Sequence, residues 1–263
     1  MAVQLLTNVS IAAIYRGPGF SFETISQSHL GESLEIIDEK SDWFRVRQED
    51  GYEGWVARFF VVEKPTDWGK QNFYHNSDHL CWIYQSPDDL STTLRDMTLL
   101  SEIPILDFVE GWVQVLLPDG AKGWVKNRPR SQVKSLDVEQ LVETACSFLG
   151  IQYLWGGRSP KGFDCSGFVQ TTFGLHGLRL PRDAYLQAEV GQKVDDDFNL
   201  WQVGDLIFFT ENQKNISHVA ISLGKGDFIH SSGYVKLNSF NPDHKDLYLE
   251  KYIRIHTKTM RAL

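Results

Sequence analysis

Apolar and polar residues alternate in short runs along the first half of the chain. In "DWFRVRQEDGYEGWV", residues 42–56, Trp43, Arg45 and Arg47 alternate with Phe44 and Val46, the period of two that predicts a β-strand. Asp50-Gly51 then supplies the positive φ of a tight hairpin turn, and Gly54-Trp55-Val56 opens the return strand. The same pattern returns in "GWVQVLLPDGAKGWV", residues 111–125. Trp43 and Trp55 match Trp112 and Trp124, Asp50-Gly51 matches Asp119-Gly120, and Gly54 matches Gly123, all at one offset. Upstream, "LEIIDEK" and "IPILDFV" stand at that offset too and read as the preceding strand. A duplicated module follows: two small all-β barrels of about 60 residues each, close to the lower size for independent folding. Trp55 and Trp124 are expected in the barrel cores, where large aromatics usually pack.

The texture changes near Pro129. "SLDVEQLVETACSFLG" carries Leu136, Val138, Leu141, Val142, Ala145 and Leu149 at helical spacing and is closed by Gly150. A glycine-rich loop and a second helix come next. "VGDLIFFT", "SHVAISLG" and "DFIHSSG" are then apolar runs bounded by turn residues, hence strands. The fold class expected is α+β, preceded by two all-β modules, with domains at residues 1–65, 66–130 and 131–263.

Composition narrows the function. A formal net charge of -8 over 263 residues, with no Lys/Arg cluster, argues against a nucleic-acid partner. No run is long and apolar enough for a membrane span, and the start lacks the basic and apolar regions of a signal peptide. The expected location is cytoplasmic, or periplasmic or extracellular if a leader was removed. Three widely separated cysteines, Cys81, Cys146 and Cys165, make a disulfide framework improbable and leave room for one reactive thiol. Cys81 and Cys146 are expected only to pack.

Cys165 opens the segment "SGFVQTTFGLHG", in which Phe168, Val169, Thr172 and Phe173 form a helical apolar face. A helix N-terminus favours a thiolate, and its free N–H groups can hold an oxyanion. Nucleophilic cysteine catalysis also needs a base and a group that orients it. His218 starts one predicted strand and His230 ends the next. The turn at 224–227 joins those strands as a hairpin, so the two imidazoles can lie side by side. No metal or cofactor is expected, because nucleophile and base are both protein groups.

Two resemblances sharpen this reading. The tryptophan–glycine repeat resembles the bacterial SH3 (SH3b) module over roughly residues 1–130. "YLWGGRSPKGFDCSGFVQTTF", "LPRDAYLQ", "GDLIFF", "SHVAISLG" and "FIHSSG" together resemble the papain-like NlpC/P60 cell-wall peptidases from about residue 135 onward. That resemblance implies Cys165 as nucleophile, His218 as general base and His230 as the orienting third member. It also implies that Tyr153 lies beside the cysteine and positions the acyl group or oxyanion. Asp164 and Ser166 would contact substrate, with Asp164 equally suited to capping the catalytic helix.

In "LPRDA", Arg182 and Asp183 are implied substrate-binding residues, an acid here pairing with a free substrate amine; otherwise they form a surface ion pair of little weight. Ala184 stands where similar enzymes often carry serine. Two SH3b modules before NlpC/P60 resemble the γ-D-glutamyl-L-diamino acid endopeptidases that recycle murein peptides. In those, the first SH3b module contributes to a pocket for N-terminal L-Ala, for which Tyr52 and Glu23 are the candidates. The implied partners are peptidoglycan-derived peptides, L-Ala-γ-D-Glu-diamino acid. The alternatives are a peptidoglycan amidase or thiol acyltransferase on the same scaffold, or a non-catalytic SH3b protein that binds the wall.

Overall fold

The computed structural model describes residues 4–76, 78–128, 137–210 and 215–262, so Pro129 and Leu136 lie outside it. The chain forms two compact units, residues 1–132 and 133–263.

In the first unit, strands β1 (Gln4–Thr7), β2 (Ile11–Tyr15), β3 (Thr24–His29), β4 (Ser33–Lys40), β5 (Trp43–Arg47), β6 (Glu53–Ala57) and β7 (Val61–Glu63) build one antiparallel sheet. Its order is β3-β2-β6-β5-β4-β1-β7, around a core that includes Ile14, Leu34, Val46 and Val56. The second sheet holds β8 (Phe73–His75), β9 (Leu80–Tyr84), β10 (Thr93–Thr98), β11 (Glu102–Val109), β12 (Trp112–Leu116) and β13 (Lys122–Lys126), in the order β10-β9-β13-β12-β11-β8.

The sequence repeat is a structural repeat: β2–β6 correspond to β9–β13. Gly51 and Gly120 carry the positive φ of the two hairpin turns, 83° and 85°. Gly54 and Gly123 are fixed by packing. A Cβ at either would lie 2.4 Å from the Cγ2 of Ile14 or Ile83, the matching residues of the two copies. Because Gly54 and Val56 point into the core, the pleat turns Trp55 outward, and Trp124 follows suit beside Val125. Both tryptophans are therefore half-buried, not core. On that outer face Trp43 and Trp112 meet Tyr15 and Tyr84 edge-on, at 5.5 and 5.6 Å between ring centroids.

The two barrels interlock. Leu6 and Leu30 of the first belong to the core cluster of the second, beside Ile103 and Val115. In the turn after β3, the Leu30 carbonyl accepts from Glu102 N at 3.3 Å, and a Cβ on Gly31 would fall 2.1 Å from the Glu102 carbonyl oxygen. His29 Nδ1 and Thr98 Oγ1 lie 3.3 Å apart, and these two residues occupy equivalent positions in the two copies.

The second unit begins with α1 (Val138–Ser147), capped by the Asp137 carboxylate, which accepts from Glu139 N and Gln140 N. The helix stops at Ser147, so Phe148 turns inward and Leu149, expected in the apolar stripe, is exposed. A small hairpin, β14 (Arg158–Ser159) and β15 (Gly162–Phe163), leads into α2 (Cys165–Leu175), followed by α3 (Ala184–Gln187). Six strands form an antiparallel sheet: β16 (Gln192–Val194), β17 (Leu206–Phe209), β18 (His218–Gly224), β19 (Asp227–Ser232), β20 (Tyr234–Ser239) and β21 (His256–Arg261). Their order is β16-β21-β17-β18-β19-β20, with α4 (Glu250–Ile255) between β20 and β21 in sequence. Successive residues Val219, Ala220 and Ile221 are all buried, so β18 is covered on both faces, and α2 packs across β18 and β19.

Candidate active site

The nucleophile candidate sits where a loop becomes a helix. Asp164 has extended backbone and caps α2, its Oδ1 accepting from Gly167 N at 2.7 Å while Oδ2 accepts from Gly156 N at 3.0 Å. Gly167 is required by close approach: a Cβ there would lie 2.1 Å from the Gly157 carbonyl oxygen. After Cys165 the helix is buried almost all round, not on one face, which is why its polar positions are the uncharged Ser166, Gln170, Thr171 and Thr172. Thr172 Oγ1 donates back to the Phe168 carbonyl at 2.8 Å.

Cys165 is 6% exposed, with Sγ 3.9 Å from the Ser217 carbonyl oxygen. Burial pushes its pKa up to about 12, with the Asp164 charge adding to the effect. The position at the helix N-terminus was expected to lower the thiol's pKa. Desolvation outweighs it, so the thiol rests protonated.

Behind this residue the β18–β19 hairpin closes through the turn at Gly224, Lys225 and Gly226, all with positive φ. It brings His218 Nε2 to 2.7 Å from His230 Nδ1, with the rings nearly perpendicular. His230 lies within β19 rather than at its end and is fully buried. Burial drives the His218 pKa well below 6.5, with His230, Lys251 and Lys236 acting in the same direction. Burial likewise lowers His230 to about 4. On its far side, His230 Nε2 lies 3.0 Å from Asn238 Oδ1 and 3.5 Å from the Tyr252 hydroxyl.

The other expected site residues divide into groups. Asp164, Ser166 and Arg182 form one buried network. The Arg182 guanidinium donates to both Asp164 oxygens, at 3.0 and 2.5 Å, and to Ser166 Oγ at 2.9 Å. Arg182, 2% exposed, thus pairs with Asp164 in the interior and is not a surface cation. Asp183 is half-buried and precedes α3, whose N-terminus its side chain does not cap. Ala184 beside it is buried. Tyr153 lies between the two halves of the site through its backbone: it bridges Phe163, and its N–H donates to Gly233 O at 2.8 Å. Tyr52 and Glu23 belong to the first unit, where Tyr52 N donates to Asp50 and Glu23 accepts from Arg16. Of the remaining thiols, Cys81 is buried with its pKa raised to about 11 by desolvation, and Cys146 is half-buried.

Sequence reasoning missed two residues of this site. Asn238 stands in "YVKLNS", a strand that was not predicted, and only the β19–β20 register places it diagonally across from His230. Gln187 is buried in "LPRDAYLQ", and its Nε2 donates to the carbonyls of Ser166 and Pro181, tying the Arg182 loop to the first turn of α2. A lone buried amide carries no sequence signal beyond its apolar neighbours.

Residues 150–260 match the NlpC/P60 family and residues 11–62 the bacterial SH3 domain. The architecture is thus a bacterial SH3 module, duplicated here by the internal repeat, followed by an α+β NlpC/P60 domain. The chain is 31% identical over 245 residues to a gamma-D-glutamyl-L-lysine dipeptidyl-peptidase of Bacillus cereus, covering 86% of this chain and 73% of that one. It is 32% identical over 220 residues to a protein of the same name from Bacillus subtilis, covering 78% and 71%. The crystal structure of an NlpC/P60 family protein from Bacillus cereus superposes with a TM-score of 0.86 at 25% identity, over 99% of both chains. The chain belongs to the NlpC/P60 family.

Proposed function

We propose that the protein is a cysteine peptidase that hydrolyses the γ-D-glutamyl–diamino acid bond of peptidoglycan-derived peptides with a free N-terminal L-Ala. The observation that carries the reading is the hydrogen-bonded chain from Asn238 through His230 to His218, on the strand that follows Ser217, whose carbonyl lies 3.9 Å from the Cys165 sulfur. The gamma-D-glutamyl-L-lysine names of the relatives supply the substrate class.

His218 Nε2 faces His230, so Nδ1 is the ring atom left to act on the thiol. Cys165 and His218 are both uncharged at neutral pH, and the proton moves as sulfur attacks. Sulfur bonds to the γ-carbonyl carbon of D-Glu while His218 takes the thiol proton. The backbone N–H groups at the start of α2 receive the developing oxyanion. When the C–N bond breaks, His218 gives that proton to the departing amine, leaving a thioester. Water then attacks the thioester, His218 takes one of its protons and returns it to sulfur, and L-Ala-γ-D-Glu leaves. Asp183 is the candidate anchor for the free amine, as a charge-assisted pair. Arg182 acts indirectly, by fixing the Asp164 cap that starts the catalytic helix.

The test is mass spectrometry of L-Ala-γ-D-Glu-meso-diaminopimelate, its L-lysine counterpart and the N-acetylated forms after incubation with the protein. Cleavage at the γ-glutamyl bond of the free peptides alone is expected, and Cys165→Ala should lose it entirely. Cleavage of the acetylated forms as well would remove the amine anchor and favour a wall-cutting role. No cleavage of any peptide by the intact protein would overturn the reading.

A further inference from the structure

The hydrogen-bond chain behind His218 has a direction, and one side chain sets it. Asn238 Nδ2 lies 2.9 Å from the Leu247 carbonyl oxygen, which can only accept. The amide is therefore turned with Nδ2 to Leu247 and Oδ1 to His230 Nε2. An amide oxygen also only accepts, so His230 Nε2 carries a proton. Buried and with its pKa lowered to about 4, His230 is neutral at pH 7 and holds that proton alone. Its Nδ1 is then a lone pair, and at 2.7 Å it accepts from His218 Nε2. His218, neutral too, is left with a bare Nδ1.

We infer that Asn238 is a positioning residue: through His230 it holds His218 in the tautomer whose Nδ1 can take the Cys165 proton. The kinetic consequence rests on the peptidase reading; the tautomer does not. A neutral amide is the right group here, and a carboxylate is not. The charged and titratable groups around His230 are His218 on β18, Lys236 on β20, and Lys251 and Tyr252 on α4. Both lysines oppose an imidazolium. A carboxylate at 238 would stabilise one. Cationic His230 would then donate from Nδ1 to His218 Nε2, forcing the His218 proton onto Nδ1, where it faces the thiol and blocks its deprotonation.

The experiment uses the full chain labelled with ¹⁵N at histidine and reads the ring protonation of each histidine from two-bond ¹H–¹⁵N correlations. Both His218 and His230 are expected as Nε2–H. In Asn238→Leu the His230 ring is no longer directed, so the His218 signature becomes mixed. Its kcat on the peptide should fall roughly tenfold or more with KM within about twofold, since a misdirected base costs the chemical step rather than binding. Asn238→Asp, nearly isosteric, should lose kcat at neutral pH and recover it as pH rises, an acid limb displaced well above that of the unsubstituted protein. A His218 Nδ1–H in the unsubstituted protein, or an Asn238→Asp profile that overlays it, would overturn the inference. Nε2–H signatures in a protein that cuts no peptide would uphold the tautomer and remove only the peptidase reading.

Discussion

A thiol with its pKa raised to about 12 and an imidazole held well below 6.5 make an uncharged pair at neutral pH. Such a site does not wait as a thiolate–imidazolium; substrate must arrive before charge separates. The fully buried His230 has a stability consequence of its own. Its folded pKa of about 4 lies below the 6.5 of an unfolded histidine, so between those values the unfolded chain binds the extra proton. Its contribution is fully present above pH 6.5 and is lost as pH falls toward 4, at about 1.4 kcal/mol per pH unit for one proton. Urea unfolding at a series of pH values from 7 to 4.5 should show His230→Gln with a shallower pH dependence, by about one proton's worth. Parallel curves for the two proteins would remove this role from His230.

At the scale of elements, the start of α2 is held from three directions, by the Gly156 N–H, the Arg182 guanidinium and the Gln187 amide. Arg182→Met leaves the Asp164 carboxylate buried without its cation, and the loss should be roughly 3–5 kcal/mol in urea unfolding. Asp164→Asn combined with Arg182→Met should cost less than Arg182→Met alone, because no charge is then stranded. A double variant that is worse than the single would argue that packing, not charge, holds the loop.

"DCSGF" made the cap, the helix start and the candidate nucleophile legible, because each depends on immediate neighbours. The Arg182–Asp164 pair was not legible, since its partners are brought together by a loop whose path no local pattern encodes. Asn238 was hidden by register in the same way, and its strand broke the apolar runs used to find the others. The repeated glycines fall between these cases. Their recurrence was plain, but Ile14 and Ile83, which forbid a side chain there, were not part of the motif. Gly123→Ala should destabilise by about 1–3 kcal/mol through overpacking, read as a lower urea midpoint at unchanged slope.

At the scale of the first unit, the boundary expected between residues 65 and 66 runs past a shared core. Leu6 and Leu30 fill space among Ile103 and Val115, so the second barrel lacks part of its interior without the first. A fragment of residues 66–128 should melt without a cooperative transition, whereas residues 4–128 should give one; a sharp transition in the short fragment would separate the barrels energetically. Gly31→Ala joins a Cβ 2.1 Å from the Glu102 carbonyl to a φ of +85°, and should cost more than Gly51→Ala, which meets open space at a similar φ.

The contact of His29 with Thr98 has the form of an isologous interface, the same patch presented by both partners, as in a homodimer. Here the partners are consecutive stretches of one chain. Joining them by a linker removes the dependence on protomer concentration, because the second half is always present at a high effective concentration. It also frees the halves to differ. Glycine holds position 31 on one side, while its counterpart on the other is Leu100 at a φ of 68°, an asymmetry that two identical subunits could never adopt in sequence.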